Sequence, residues 1–125
     1  MRGVMPPKTI IVADDDAHIR SSMREILEAE GFVVHEAEDG LQTLALYEKV
    51  HPDLIILDMM MPEMDGAAFF YEVHNKKDAK KVPIIVISGL VAPQGESVDE
   101  TVLYLAKPVP PAELLRNVRA ILNIA

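Results

Sequence analysis

Short apolar runs alternate with longer stretches of helical period along this chain. Thr9 to Ala13 (TIIVA), Phe32 to Glu36 (FVVHE), Leu54 to Leu57 (LIIL), Ile84 to Ser88 (IIVIS) and Val102 to Ala106 (VLYLA) are rich in β-branched residues and too short for helices. Unbroken apolar runs of this length suit strands buried on both faces. Between the first two, Ala17 to Glu30 carries Ile19, Met23, Ile26 and Leu27 on one helical face, with Asp16 as N-cap and Gly31 as the stop. A helix starting at Asp39 turns Leu41, Leu44, Ala45 and Val50 inward and closes before Pro52. A third spans about Gly66 to Asn75 and buries some of Ala67, Phe70 and Val73. The last, Pro111 to Asn123, stripes Leu114, Leu115, Val118, Ile121 and Leu122 along one side.

Strands alternating with helices predict an α/β fold: a parallel sheet, covered on both faces and joined by right-handed crossovers. All strand C-termini then lie along one edge, where such sheets bind their ligands. That edge carries Asp14 and Asp15 after the first strand, Asp58 after the third, Ser88 at the end of the fourth and Lys107 after the fifth. Each has a plainer reading. An acid at a strand end faces water, Asp14 or Asp16 caps a helix, Ser88 is a loop residue and Lys107 a surface charge. Four polar strand ends on one edge outweigh those readings taken singly.

The chemistry of the set is coherent. A carboxylate serves as nucleophile toward a phosphoryl group and forms an acyl phosphate. Phosphoryl transfer needs positioning and charge neutralisation more than covalent help. Two unit charges about 4 Å apart repel by about 4 kcal/mol at an effective dielectric near 20, so clustered acids call for a cation. Mg²⁺ takes oxygen ligands and keeps waters, so a few acids and a carbonyl suffice. Lysine offers a point charge for a phosphoryl oxygen and serine one hydroxyl donor.

Bulk properties narrow the classes. The 125 residues fit one domain with a real core. We expect a lead-in at 1–8, holding Pro6-Pro7 and read as disordered, before a domain at 9–125. A net charge of −8 and pI near 4.9 argue against a nucleic-acid surface. With no cysteine there is no thiol or disulfide chemistry. No apolar run approaches a membrane span, and a cytoplasmic location is expected. His18, His35, His51 and His74 lack metal-ligand spacing. The four lysines within Lys76 to Lys81 read as a solvated turn.

IIVADDD, LIILDMMMPEMDG, IIVIS and YLAKP, in this order, resemble the receiver domains of two-component response regulators, the family that includes CheY. The likeness runs from Thr9 to about Leu122. It implies a flavodoxin-like, doubly wound sheet of five strands in the order 2-1-3-4-5. It implies Asp58 as phosphoacceptor and Asp14, Asp15 and Asp58 as Mg²⁺ ligands, joined by the backbone carbonyl of Met60. Ser88 would meet the phosphoryl group, Lys107 would pair with it, and Tyr104 would change rotamer with the phosphorylated state. Lys107-Pro108 matches a peptide bond that is cis in the family. Asp16 reads as a cap, and Glu63 and Asp65 as loop or cap residues. Met59 and Met61 pack at the loop base.

A stand-alone signalling switch is expected. It would take its phosphoryl group from a sensor histidine kinase or histidine phosphotransfer protein and alter its binding to a downstream protein. Any catalysis would be confined to its own phosphorylation and slow dephosphorylation. A relay shuttle passing the phosphate onward is a close variant, and a pseudo-receiver used only for docking is countered by the complete acid set. A Mg²⁺-dependent phosphohydrolase of the haloacid-dehalogenase kind would carry a second Asp two positions past its nucleophile, where this chain has Met60. One departure stands out. Between Ser88 and Lys107 the segment is short, holds Pro93 and Gly95, and has Glu100-Thr101 where the family places a Gly-Ala pair. A shortened or remodelled fourth helix is expected there.

Overall fold

A computed structural model describes residues 6–58, 82–89 and 102–124. The expected helix from about Gly66 to Asn75, the lysine-rich turn and the segment at 90–101 lie outside the described residues. Among those described there are five strands and three helices. They are β1 (Thr9–Ala13), α1 (Ala17–Ala29), β2 (Val33–Ala37), α2 (Gly40–Val50), β3 (Leu54–Asp58), β4 (Ile84–Ser88), β5 (Val102–Ala106) and α3 (Pro111–Leu122). All pairings are parallel, and the order is β2-β1-β3-β4-β5. This is the expected flavodoxin-like sheet.

Burial on both faces is visible residue by residue. Ile10 and Val12 of β1, Leu54 and Ile56 of β3, and Ile85 and Ile87 of β4 pack with Met23 and Leu27 of α1 and with Leu114 and Val118 of α3. The alternate positions Ile11, Ala13, Ile55, Leu57, Ile84 and Val86 pack with Tyr47 of α2 on the other face. Period-two alternation is therefore present inside runs that look uniformly apolar. At the opposite end of the sheet from the acids, Asp53 ties β3 to β1. Its carboxylate accepts from the Thr9 N–H at 2.8 Å, and its own N–H donates to the Thr9 carbonyl at 2.8 Å.

The helix ends follow local chemistry. Asp16 caps α1 by accepting from the N–H groups of His18 and Ile19 at 2.9 and 3.2 Å, satisfying donors that the first turn leaves open. Gly31, at φ +94°, lets the chain turn from α1 into β2. Asp39 caps α2 through the Gln42 N–H at 2.7 Å, and Pro111 opens α3 at its first turn. Strand β2 begins at Val33 rather than Phe32. The Phe32 N–H is spent on the Leu27 carbonyl at the end of α1, at 3.2 Å, while its ring stays buried.

One helical face differs in part from expectation, since Leu44 and Val50 pack inward but Leu41 and Ala45 do not. In α2, Leu41 is 51% exposed and Ala45 faces solvent. The buried positions are Gly40, Thr43 and Tyr47, flanked by half-buried Leu44, Leu46 and Val50. Thr43 can sit inside because its hydroxyl donates to the Asp39 carbonyl at 2.7 Å and so is buried with a partner.

Candidate functional site

The alternation of the strands carries through to the site. Asp14 is in phase with Ile10 and Val12, Asp58 with Leu54 and Ile56, and Lys107 with Leu103 and Leu105, all on the face covered by α1 and α3. Because Ala13 is level with Leu57 across β1 and β3, Asp14 and Asp58 come next to each other at the C-terminal edge.

Asp14 is held at every polar atom. Its N–H donates to the Ala37 carbonyl at 3.1 Å, extending the β1–β2 ladder by one residue. Its Oδ1 accepts from the Asp16 N–H at 2.9 Å, and its carbonyl accepts from Arg20 Nη1 at 2.7 Å. Its Oδ2 lies 3.3 Å from Lys107 Nζ. Asp14 and Asp58 are both buried, whereas Asp15 is exposed. One carboxylate oxygen from each of the three lies within 4.8 Å of the others.

Lys107 crosses the ends of two strands to reach this group, with Nζ also 3.6 Å from Asp58 Oδ1. Burial pulls its ammonium toward the neutral form. The carboxylates of Asp14 and Asp58 outweigh that and hold its pKa above the ordinary lysine value. Among the described residues, one cation against three acids leaves the site net negative. The donors are all hard oxygens, without His or Cys, which suits Mg²⁺ rather than a soft metal.

The remaining expected residues fall in several places. Ser88 ends β4 level with Ala106, on the same edge. Tyr104 is half-buried on β5 against the α2-side core, away from the acids. The Lys107-Pro108 peptide is cis, as expected. Met60, Glu63 and Asp65 lie outside the described residues, as do Met59 and Met61.

Sequence reasoning passed over a second layer. Arg20 of α1 bonds Glu36 of β2 through Nε at 3.1 Å, besides the Asp14 carbonyl. Arg24 meets the other oxygen of Glu36 at 3.0 Å and Glu28 at 3.0 Å. The Arg24 hydrogen bond first, and those with Arg20 after it, hold the Glu36 carboxyl below its usual pKa against the opposing effect of burial.

The profile of the response regulator receiver domain matches residues 10–119. This chain belongs to that family. Among curated proteins the receiver is 36% identical over 125 residues to the response regulator MprA of Mycobacterium sp. (strain KMS), covering 94% of this chain and 51% of that protein. It is 34% identical over 123 residues to the probable transcriptional regulator ycf27 of Porphyridium aerugineum, covering 95% and 50%. The receiver thus spans about half the length of the curated relatives it matches, and the transcriptional role in the second name belongs to that longer protein. Among solved structures it matches the chemotaxis response regulator CheY4 of Vibrio cholerae at a TM-score of 0.82 and 30% identity, over 93% of this chain and 99% of that one. Among the described residues, no helix is long and apolar enough to cross a membrane.

Proposed function

We propose that this receiver is a phosphorylation-dependent switch in which Asp58 takes a phosphoryl group from the phosphohistidine of a sensor kinase or phosphotransfer protein. The observation that carries the reading is the meeting of Asp14, Asp15 and Asp58 within 4.8 Å, with Lys107 3.6 Å from Asp58. A carboxylate oxygen of Asp58 attacks phosphorus, the phosphorus–nitrogen bond of the donor breaks, and the imidazole leaves with that electron pair. An acyl phosphate results.

The other residues serve charge and position. Asp14, Asp15 and Asp58, with the backbone carbonyl of Met60, would hold a Mg²⁺ ion. When bound, that ion supplies positive charge against the phosphoryl oxygens. Lys107 lets go of part of its pairing with Asp58 and moves onto a phosphoryl oxygen. The Ser88 hydroxyl donates to another. That displacement of Lys107 is the local event through which Tyr104 and the fifth strand alter affinity for a downstream protein. The receiver then works in the cytoplasm, where kinase and partner meet it, and its only turnover is slow hydrolysis of its own acyl phosphate.

Intact-mass measurement after incubation with a small acyl-phosphate donor and Mg²⁺ tests the assignment. Wild type should gain one phosphoryl group, Asp58→Asn none, and wild type with chelator little. Equal labelling of wild type and Asp58→Asn would remove Asp58 from its role.

A further inference from the structure

We propose that Arg20 is a positioning residue for the acidic site, acting by clamping the peptide plane between Asp14 and Asp15. The idea rests on the reading of Asp14 and Asp15 as metal ligands and adds a device that tunes them. The Arg20 guanidinium is a rigid fork with one arm on each of two elements. Nη1 donates to the Asp14 carbonyl at 2.7 Å and Nε to Glu36 at 3.1 Å. Its side chain is only 14% exposed, so neither arm is readily replaced by water.

The direction of the clamp matters. The carbonyl of Asp14 and the N–H of Asp15 share one planar peptide unit. Fixing that carbonyl therefore fixes the direction in which the chain enters Asp15. Asp14 has its N–H, Oδ1 and Oδ2 held independently, whereas Asp15 is exposed and, among the described residues, has no ion pair of its own. Of the three acids, Asp15 is the one that depends on the backbone for its aim.

Glu36 is the anchor. It binds Arg20 and Arg24 with different oxygens, so the guanidinium of Arg20 cannot swing away without breaking a bond to an ionised carboxylate. Arg24 shares this anchor but does not touch Asp14, and its side chain is 44% exposed. This pair of arginines separates clamping from general electrostatics: each loses one charge, and only one loses the Asp14 contact. Groups that orient metal ligands typically change metal affinity by about 10- to 100-fold when removed.

The test compares Arg20→Met and Arg24→Met, which keep the apolar stems. Two readouts are taken on the full chain. The first is the Mg²⁺ dissociation constant from the metal dependence of the melting temperature. The second is taken in metal-free protein: the amide resonances and hydrogen exchange of Asp15 and Asp16. Arg20→Met should weaken Mg²⁺ about tenfold, shift both amides, and deprotect that of Asp16, which donates to Asp14 Oδ1. Arg24→Met should stay within about twofold of wild type and leave them in place. Equal effects of the two variants, or wild-type amides in Arg20→Met, would overturn the clamp. If wild type itself failed to bind Mg²⁺, the metal reading would fall while the metal-free amides still decided the clamp.

Discussion

Lys107 Nζ lies 3.3 Å from Asp14 Oδ2, although the strands leading to these residues, β5 and β1, are separated in the sheet by β3 and β4. The lysine therefore spans the whole C-terminal edge of the site and neutralises part of it before any ligand arrives. A buried acid pair without a cation would be costly. The proposed switch and the stability of the resting fold thus share one residue.

Lys107→Met should therefore destabilise the protein at pH 7. Removing one partner of a fully buried pair costs about 3–5 kcal/mol. Lys107 keeps about a quarter of its side chain in water, so about 1–3 kcal/mol is expected after screening. The lysine pKa is raised in the folded state. Its contribution is thus complete below the unfolded value near 10.5 and fades as pH rises through the folded value. Urea melts of wild type and variant should converge in that alkaline window and differ at neutrality. A constant gap across both would mean the lysine acts through its stem.

Much of this was legible in the sequence, for physical reasons. Each strand is a five-residue run, and the inner strands β1, β3 and β4 are buried on both faces, so their composition announces them without help from neighbours. Asp16 and Gly31 are caps whose partners lie within a turn. The grouping of Asp14, Asp15 and Asp58 was legible too, because a parallel sheet brings its strand C-termini to one edge, and the register that sets Ala13 level with Leu57 agrees with it. What stayed hidden depends on distant side-chain pairing: Arg20 bonds Glu36, sixteen residues away, and nothing in α1 alone marks one arginine as inward and the next as exposed. In α2 a polar Thr43 broke the apolar stripe, and the reading turned the helix toward Leu41.

The outward position of Leu41 can be checked by stability. Leu41→Ser should change it by no more than about 0.5 kcal/mol, as for an ordinary surface site. Tyr47→Ala should cost about 3 kcal/mol or more, as for a buried aromatic. Chemical denaturation of both variants decides between the two faces. A Leu41→Ser loss as large as that of Tyr47→Ala would restore the original face.

The Glu36 anchor predicts an acid dependence. Its folded pKa lies below the ordinary carboxyl value because of the Arg24 and Arg20 bonds. Such a group stabilises above its unfolded pKa and loses that contribution as pH falls through the folded one. Glu36→Gln should be less stable by about 0.5–1 kcal/mol at pH 7, given a side chain still 25% exposed. The gap should close on acidification below pH about 4.5. Thermal melts at neutral and acid pH read it directly, and a gap unchanged at low pH would assign Glu36 a packing role.

The three acids should respond differently to neutralisation, because Lys107 touches only two of them. Without metal, Asp15→Asn removes repulsion from a carboxylate within 4.8 Å of two others and sacrifices no ion pair among the described residues. At that spacing each repulsion is worth about 1 kcal/mol near the water limit of the dielectric. Asp15→Asn should therefore raise the metal-free melting temperature by a few degrees. Asp58→Asn relieves similar repulsion but weakens the contact with Lys107, so its metal-free gain should be smaller. With Mg²⁺ the gap should narrow. Metal at ten times its dissociation constant stabilises wild type by roughly 1.4 kcal/mol, and both variants should lose most of that response. Thermal scans of the three proteins in chelator and then in Mg²⁺ separate the two effects. If wild type gained nothing from Mg²⁺ and both variants melted lower without it, the acids would be structural hydrogen-bond acceptors, and the metal site would have to be given up.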